Sequence, residues 1–477
     1  MSASSQRGIG SPTALLFSAQ RRGVLPLTSV CNMNCLFCSH RFNPPGVKVL
    51  RLPPRPLAEV EESLAWLSGS KVVIGESVTR IIEGEPFTHP QIMEILTLLR
   101  RRFPEKLLAI TSNGSLLDER RVKELAKLAP VELTISLNSA NPRGRAFLMR
   151  DRQPEAVMAA LRELAGVGLP FHGSIVAMPH LVGWEDLQAT IGFLDRVGAR
   201  TVRVFLPGFT RLTPPELRFP RDLPDQLQAF LAELRQKVTV PLLLEPPPVR
   251  DVEAVVEGVI SSSPADGEGV RPGDVILAVD GMAPFSRVQA FQLVLAAARP
   301  RLLLRRGEAL LEVTLDKEAG ESSGLAMLYD LDPGIMGEIE RALATGQDGR
   351  AKPASRRQPS RGYGPGKGGR CAEETLLLAS SLGAPALRAG LAKKGIPLTP
   401  YPVENGFFGG SIGAAGLLVV QDFIAAIQKV QEKAHGRYRR ALLPGRPFDE
   451  KGHDLVGRSY LEIEEVTGIR VEVLGEC

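Results

Sequence analysis

The cysteines of this chain are concentrated in one short stretch. Cys31-Asn32-Met33-Asn34-Cys35-Leu36-Phe37-Cys38 holds three of the five cysteines. Three thiolates this close together can bind one inorganic centre, and soft sulfur ligands suit an iron–sulfur cluster or zinc. Structural zinc has four protein ligands, and electron-carrying clusters usually have four cysteines. No fourth cysteine lies nearby, which leaves one metal position open for another molecule. The alternatives are a zinc knuckle completed by His40 and three unlinked thiols.

Composition and charge describe an ordinary globular chain. A length of 477 residues predicts about three domains at about 150 residues each. Hydrophobic residues make up 44% and charged residues 23%. The net charge of +5, from 58 basic and 53 acidic residues, is too small to indicate a nucleic-acid partner.

The cysteine usage and the apolar runs indicate the compartment. Five cysteines with three clustered do not form a disulfide framework, so the reducing cytoplasm is the expected compartment. Residues 1–10 are polar and show no secretory signal. The longest weakly polar run, 409–420, is shorter than the roughly 20 apolar residues of a membrane span. We therefore expect a cytoplasmic protein without a membrane span.

From residue 24 to about residue 245, short apolar runs alternate with amphipathic helical stretches. The apolar runs are Val24–Val30, Ile81–Glu83, Leu107–Thr111, Val131–Leu137, Phe171–Met178 and Thr201–Leu206. Strands that are repeatedly followed by helices predict parallel β/α units. Six such units fit an α/β fold of the partial (β/α)6 barrel type, whose functional residues lie at the carboxyl ends of the strands.

The cysteine stretch resembles the cluster loop of radical S-adenosylmethionine (SAM) enzymes. The shared features are the spacing Cys-x3-Cys-x2-Cys and the aromatic Phe37 before the last cysteine. The resemblance implies that Cys31, Cys35 and Cys38 hold a 4Fe–4S cluster. It also implies that SAM chelates the fourth iron, and it independently implies the partial (β/α)6 barrel.

The later strand ends extend this resemblance. Glu83-Gly84-Glu85-Pro86 is similar to the Gly-Gly-Glu-Pro motif with which the family binds the methionine ammonium group of the cofactor. Glu83 replaces the usual Gly, so this edge is expected to be tighter or more acidic. The predicted cofactor-binding residues are Phe37, Gly84, Glu85, Pro86, Asn113, Ser136, Asn138 and Met178.

Several of these residues have a simpler structural explanation. Asn113, Ser136 and Asn138 also suit tight turns, and Met178 can be a core residue instead of an adenine contact. Arg143 and Arg150 follow the fourth predicted strand and could pair with a carboxylate, although a solvated helix face explains either residue alone.

The resemblance implies a definite reaction class. A reduced cluster passes one electron to bound SAM, and the resulting 5′-deoxyadenosyl radical abstracts hydrogen from a peptide, protein or small-molecule substrate. This chemistry implies a one-electron donor such as a ferredoxin or flavodoxin. The alternative functions are a non-catalytic iron–sulfur or zinc scaffold and a redox sensor.

A second motif follows the barrel region. Gly269-Val270-Arg271-Pro272-Gly273-Asp274-Val275-Ile276, continued by Asp280-Gly281, resembles a bacterial PDZ domain, with turns at Pro272-Gly273 and Asp280-Gly281. PDZ domains bind an extended segment at a sheet edge. The resemblance therefore implies a peptide or protein ligand, and the alternative is a module that only packs on its neighbours.

The C-terminal part is divided from the PDZ region by a polar stretch. Gly346–Arg370 is rich in Gly, Pro, Ser and basic residues, which predicts a flexible linker. The Gly-rich passage 404–418 either approaches an anion or packs closely through small residues. It resembles the C-terminal domain of radical SAM proteins that carry domain of unknown function 512. In those proteins the PDZ module precedes the cysteine domain, whereas here it follows.

These patterns give the predicted domain organisation. It consists of a leader 1–23, a radical SAM barrel 24–248, a PDZ domain 249–330, a helix with a basic linker 331–370, and an α/β C-terminal domain 371–477. Cys371 and Cys477 are expected to be free thiols, with a radical-relay or cluster role for Cys371 as the alternative.

Overall fold

The computed structural model describes residues 23–77, 80–345 and 374–475. The chain divides into two compact units. The first unit contains residues 1–246 and 257–266, and the second contains residues 247–256 and 267–477. The predicted leader 1–22, the linker 346–370, Cys371 and Cys477 lie outside the described residues.

The first unit is built on a six-stranded parallel sheet. Its strands and the short pair beside it are β1 (Leu50–Arg51), β2 (Lys71–Ile74), β3 (Ile81–Ile82), β4 (Leu107–Ser112), β5 (Val131–Ser136), β6 (Phe171–Val176), β7 (Val202–Phe205) and β8 (Leu242–Glu245). The sheet order is β2-β4-β5-β6-β7-β8, and β1 pairs with β3. Because strand order follows chain order and crossovers are right-handed, the connecting helices lie on one face of the sheet.

Helices alternate with these strands, as the sequence predicts. They are α1 (Leu57–Ser63), α2 (Ile92–Arg102), α3 (Glu119–Ala126), α4 (Pro142–Met149), α5 (Ala156–Gly166), α6 (Pro179–Val182), α7 (Trp184–Arg196) and α8 (Leu223–Leu234). Capping side chains fix some of the helix starts: the Asp118 carboxylate accepts a hydrogen bond from the Arg121 amide, which satisfies an unpaired donor of the first turn.

The two faces of the sheet differ in burial. On β4 to β8, buried and half-buried residues alternate, as expected for a side-chain period of two. The buried residues, such as Leu133 and Ile175, join helix residues such as Leu96 and Leu161 in one apolar core. The opposite face is half-buried and carries polar side chains.

Two predicted strands differ from the structure. The segment Val24–Val30 does not form one regular strand, because it changes partners along its length: the Leu25 amide donates to Val73 O, whereas the Ser29 amide donates to Leu52 O. The predicted run Ile81–Glu83 pairs with β1 outside the six-stranded sheet. The first and last strands of that sheet, β2 and β8, were absent from the predicted set.

The second unit begins with a small antiparallel sheet. Gly258–Val259 (β9) and Pro264–Gly267 (α9) precede it along the chain, and its strands are β10 (Val275–Val279), β11 (Arg301–Arg306) and β12 (Ala309–Thr314). Helix α10 (Arg287–Ala296) lies between β10 and β11 in sequence, and β13 (Leu325–Ala326) follows. The order β10-β11-β12 contains a tight β11–β12 hairpin.

The rest of the second unit is a four-stranded parallel sheet covered on both faces. Its elements are α11 (Pro333–Thr345), β14 (Thr375–Ser380), α12 (Ala384–Lys394), β15 (Pro400–Val403), α13 (Val420–Lys433), β16 (Arg440–Pro444), α14 (Leu461–Thr467) and β17 (Arg470–Leu474). The strand order is β15-β14-β16-β17. Leu376 packs with α13, and its neighbour Leu377 packs on the opposite face with α11 and α12. This agrees with the α/β expectation.

Candidate functional site

The cysteine loop is fastened to the end of helix α4. The Asn34 amide donates to Met149 O at 3.1 Å, and the Leu36 amide donates to Leu148 O at 2.8 Å. These two backbone bonds bracket Cys35, so the position of the central thiol depends on how α4 is held.

The three thiols of the loop are free and close enough to influence one another. Cys31 and Cys38 are exposed, and Cys35 is half-buried. Burial, together with the neighbouring Cys31 and Cys38, raises the pKa of Cys35 to about 12. Burial also raises the pKa of Cys31, and Glu85 and Cys38 add to the rise. Because metal ligation requires thiolates, filling this site must release protons.

The Gly-Glu-Pro turn lies directly against the start of the cysteine loop. The Gly84 amide donates to Thr28 O at 2.7 Å, and the Glu85 amide donates to Val30 O at 2.8 Å. A Cβ on Gly84 would lie 2.0 Å from Val30 O, so the two segments approach more closely than any other residue allows. The motif therefore positions the residue that precedes Cys31.

The Glu85 carboxylate joins this turn to the end of β4. Its Oε1 accepts from the Ser112 hydroxyl at 2.8 Å and from the Phe87 amide at 3.1 Å, and its Oε2 accepts from the Asn113 amide at 2.6 Å. Burial raises the pKa of Glu85, and these hydrogen bonds oppose the rise. Since a carboxylate offers about four acceptor positions, one position remains for a cationic group near Cys31.

Asn113 also contacts the cysteine loop through its side chain. Its Nδ2 donates to Asn32 Oδ1 at 2.9 Å, and Asn32 Nδ2 donates in turn to the Ser115 hydroxyl at 2.8 Å. A predicted strand-end residue thus lies within the same polar network as the loop.

Asn138 occupies a left-handed backbone position with φ of 61°. Its Oδ1 accepts from the Val176 amide at 2.7 Å, and its Nδ2 contacts Met149 Sδ at 3.2 Å. The side chain therefore bridges β5 and β6 at their carboxyl ends. Ser136, two residues earlier, lies on the half-buried face of β5.

The predicted apolar contacts gather in one cluster beside the thiols. Met178 is buried with Leu148 and Met149, and this cluster is completed by half-buried side chains from the cysteine loop and helix α6. These side chains are Met33, Cys35, Phe37, Val176, Leu181 and Val182. Phe37 and Met178 therefore share one apolar wall next to Cys35.

Arg145 is the main site residue that the sequence reasoning missed. Its side chain is fully buried: Nε donates to Asp151 Oδ2 at 2.6 Å, Nη1 to Leu137 O at 2.7 Å, and Nη2 to Asn113 O at 2.7 Å. It thus ties α4, which holds the cysteine loop, to the carboxyl ends of β4 and β5. A signal was present, because Arg145 precedes the buried Leu148 and Met149 by three and four residues on one helix face.

The two arginines that the sequence singled out are both exposed. Arg143 sits in the first turn of α4. Arg150 ends that helix in a left-handed conformation with φ of 57°, and its guanidinium lies 5.7 Å from the Phe147 ring. Neither residue enters the hydrogen-bond network around the thiols, so the simpler explanation of a solvated helix face fits both.

The donor set fits a cluster better than a single ion. Within the described ranges, no group of three or more His, Cys, Asp or Glu side chains is arranged to hold one metal ion. His40, the proposed fourth zinc ligand, instead has its Nε2 3.4 Å from the Ser77 hydroxyl. In a 4Fe–4S cluster each cysteine binds a different iron, so three neighbouring thiols need not converge on one point.

The comparisons with known proteins agree with this site. Residues 25–194 match the Radical SAM superfamily, and residues 255–306 match the PDZ domain family. The chain therefore contains a radical SAM domain followed by a PDZ domain, which confirms both predictions and their order. Radical SAM domains are enzyme domains, and their cofactors are a 4Fe–4S cluster and SAM.

Curated relatives match only part of the chain. The FeMo cofactor biosynthesis protein NifB of Chlorobaculum tepidum is 30% identical over 177 residues, which cover 32% of this chain and 40% of the relative. GTP 3′,8-cyclase of Aquifex aeolicus is 32% identical over 118 residues, which cover 25% of this chain and 35% of the relative. The chain thus spans less than half the length of either relative.

Solved structures show a distant likeness. Streptococcus suis SuiB bound to precursor peptide SuiA is 18% identical, with a TM-score of 0.37, over 46% of this chain and 48% of that chain. The enzyme anSMEcpe with bound AdoMet is 14% identical, with a TM-score of 0.36, over 46% of this chain and 62% of that chain. Likeness at this level carries no conclusion about the substrate.

The search for membrane-spanning elements gave a simple result. Among the described helices, none has the length and apolar character that a membrane crossing requires.

Proposed function

We propose that this protein is a radical SAM enzyme in which Cys31, Cys35 and Cys38 hold the cluster. The observation that carries the proposal is the set of three free thiols beside the buried Glu85 carboxylate, at the carboxyl edge of a parallel sheet. The sequential strand order also supports a partial (β/α)6 barrel around the site.

The bound cluster and SAM would supply a 5′-deoxyadenosyl radical for hydrogen abstraction. The residues of the chain would orient and enclose that chemistry. Gly84, Pro86 and the remaining acceptor position of Glu85 would receive the methionine ammonium group. The polar groups of Asn113, Ser136 and Asn138 would contact the ribose and carboxylate, and Phe37 and Met178 would exclude water.

The remaining parts of the chain suggest how a substrate reaches this centre. The PDZ domain is proposed to bind a peptide or protein, since PDZ domains add an extended segment to a sheet edge. A ferredoxin or flavodoxin would deliver the single electron in the cytoplasm. Residues 374–475 are proposed to be a domain of the unknown-function-512 family, and its doubly covered parallel sheet supports an independent α/β domain.

The test is anaerobic reconstitution with iron and sulfide, followed by SAM and dithionite. The expected product is 5′-deoxyadenosine, measured by liquid chromatography. Cys35→Ala should lose both the cluster absorption and the product. The matched control Cys371→Ala removes a cysteine outside the predicted ligand set and should keep both.

Two results would contradict the proposal. A reconstituted protein with full cluster absorption that neither binds nor cleaves SAM would be a scaffold or redox sensor instead of an enzyme. A full cluster in Cys35→Ala would show that the ligand assignment is wrong.

A further inference from the structure

The half-buried face of the main sheet carries a row of polar side chains across three neighbouring strands. Ser136 on β5 is in register with Ser174 on β6, and Ser174 is in register with Arg203 on β7. Neighbouring strands lie about 4.8 Å apart, so the three side chains form a continuous lane, called here the serine–arginine lane.

Arg203 is held in place without using its full hydrogen-bonding capacity. Its Nη2 donates to Glu245 Oε1 at 3.0 Å, and its guanidinium carbon lies 4.9 Å from the Phe205 ring. The side chain is nevertheless 42% exposed. Within the part of the chain that the structure describes, no hydrogen bond is formed by its Nε or Nη1, nor by the hydroxyls of Ser136 and Ser174.

This arrangement differs from the polar contacts that hold the sheet edge together. The Ser112 hydroxyl donates to Glu85, and the Ser139 hydroxyl donates to Asp186 at 2.8 Å. Those hydroxyls stabilise the protein itself. The hydroxyls of the serine–arginine lane, together with two guanidinium nitrogens, are available to a molecule that lies on the half-buried face.

The chemistry of the lane selects an oxyanion. Arginine presents two parallel N–H donors that match a carboxylate or phosphate, and the adjacent hydroxyls add further donors. Glu245 already places one negative charge beside Arg203, which disfavours a doubly charged phosphate by repulsion. A singly charged carboxylate suits the lane better.

We propose that the serine–arginine lane binds a carboxylate group of the substrate. The assignment deepens the function proposed above and rests on it, because the lane begins at Ser136, a predicted cofactor contact. The substrate would then lie beside the cofactor on the half-buried face. The substrate class is a carboxylic acid, in free form or within a larger molecule.

The test uses acetate as the probe and the full-length apo protein, because acetate binding requires neither cluster nor SAM. Saturation-transfer NMR on the acetate methyl protons gives the dissociation constant at fixed ionic strength, and inorganic phosphate is added as a competitor. Arg203→Gln should weaken acetate binding at least about tenfold, the loss expected for a charge-assisted bidentate contact. Arg203→Lys, which keeps the charge without the fork, should weaken it about threefold or more.

The controls separate the lane from general surface charge. Arg200→Gln removes an arginine three residues earlier that pairs with Glu132 at 3.4 Å, and it should leave acetate binding unchanged. Glu245→Gln keeps an acceptor for Nη2 but removes the charge, so phosphate should compete several-fold better than in the wild-type protein. Wild-type affinity for acetate in Arg203→Gln, or equal losses in Arg203→Gln and Arg200→Gln, would overturn the inference.

The outcome can be told apart from a failure of the proposed function. Protein that yields 5′-deoxyadenosine but shows no acetate binding at Arg203 overturns this inference alone. Protein that binds acetate at Arg203 but never cleaves SAM overturns the proposed radical chemistry.

Discussion

The α-carbon of Gly84 faces the carbonyl oxygen of Val30 so closely that a methyl group on Gly84 would lie 2.0 Å from that oxygen. Backbone atoms cannot retreat as a flexible side chain can. We therefore expect Gly84→Ala to displace the segment that leads into Cys31, and to cost roughly 1–3 kcal/mol of unfolding free energy, as overpacking does. Iron and sulfide content after anaerobic reconstitution should fall, and urea unfolding should show the loss of stability.

Gly166→Ala is the matched control for this prediction. Gly166 ends helix α5, and a Cβ there meets nothing within 4 Å, so the exchange should be neutral or slightly stabilising. If Gly84→Ala took up a full cluster and unfolded like the wild-type protein, the close approach to Val30 would have no role in positioning the cysteine loop.

The buried pair Arg145–Asp151 provides a second prediction. Arg145→Gln leaves Asp151 without its partner in a fully buried place, and loss of one member of a buried pair costs roughly 3–5 kcal/mol. Urea unfolding should show this cost. Cluster content should fall as well, because α4 holds the cysteine loop through Leu148 O and Met149 O.

The control for Arg145 lies two residues earlier on the same helix. Arg143 is exposed, so Arg143→Gln should change the unfolding free energy by no more than about 0.5 kcal/mol. Equal effects of the two variants would show that the helix, and not the buried guanidinium, sets the stability of this region.

Glu83 predicts a pH dependence of stability. Burial raises the pKa of its carboxyl to about 8, and Oε2 has no hydrogen-bond partner among the described residues. The folded protein therefore favours the neutral acid. The stability from this group is full below its unfolded pKa of about 4.3 and is lost as pH rises through about 8.

Glu83→Gln removes this titration while keeping an acceptor for the Leu27 amide, which donates to Glu83 Oε1 at 2.9 Å. Above about pH 8 the variant should exceed the wild-type unfolding free energy by roughly 3–5 kcal/mol, and the difference should narrow toward about pH 5. Urea unfolding of the apo protein across this range measures the effect, with the exposed Glu61→Gln as control. Parallel curves for wild type and Glu83→Gln would contradict the raised pKa.

The sequence predicted the parts of this fold that local pattern controls. Alternating apolar runs and amphipathic stretches identify β4 to β7 and their helices, because each strand and helix carries its own period. Strand β2 was missed because Lys71–Ile74 is only four residues long. The segment 24–30 reads as one strand in sequence, but its exchange of partners between Val73 and Leu52 depends on the tertiary arrangement.

The candidate site shows the same division between local and distant information. Cysteine spacing is local, so the three thiols could be identified directly. Arg145 was passed over for Arg143 and Arg150, since three arginines within eight residues look alike until the partner Asp151 and the distant Asn113 O are in place. The role of Gly84 likewise depends on Val30, which lies far away in sequence.

The PDZ domain offers a prediction that does not involve the cysteine loop. Asp274 of the Pro-Gly-Asp turn is fully buried. Its Oδ1 accepts from Arg306 Nε at 2.7 Å, and its Oδ2 accepts from Arg306 Nη2 and from the Arg271 amide, both at 2.8 Å. Burial alone would raise the pKa of Asp274, but Arg306 and the amide hold it below the ordinary value.

A carboxyl whose pKa is lowered on folding contributes stability above its unfolded pKa and loses it as pH falls. Asp274→Asn should therefore destabilise the β10–β12 sheet by about 2 kcal/mol at neutral pH, the scale of hydrogen bonds to a charged group. The deficit should shrink below about pH 4, where wild-type Asp274 also becomes neutral. Hydrogen exchange of the β11 and β12 amides in the full-length chain measures both effects. Asp316→Asn, at an 88% exposed side chain, should leave exchange unchanged, and equal exchange in the two variants would mean that the Asp274–Arg306 pair does not stabilise the hairpin.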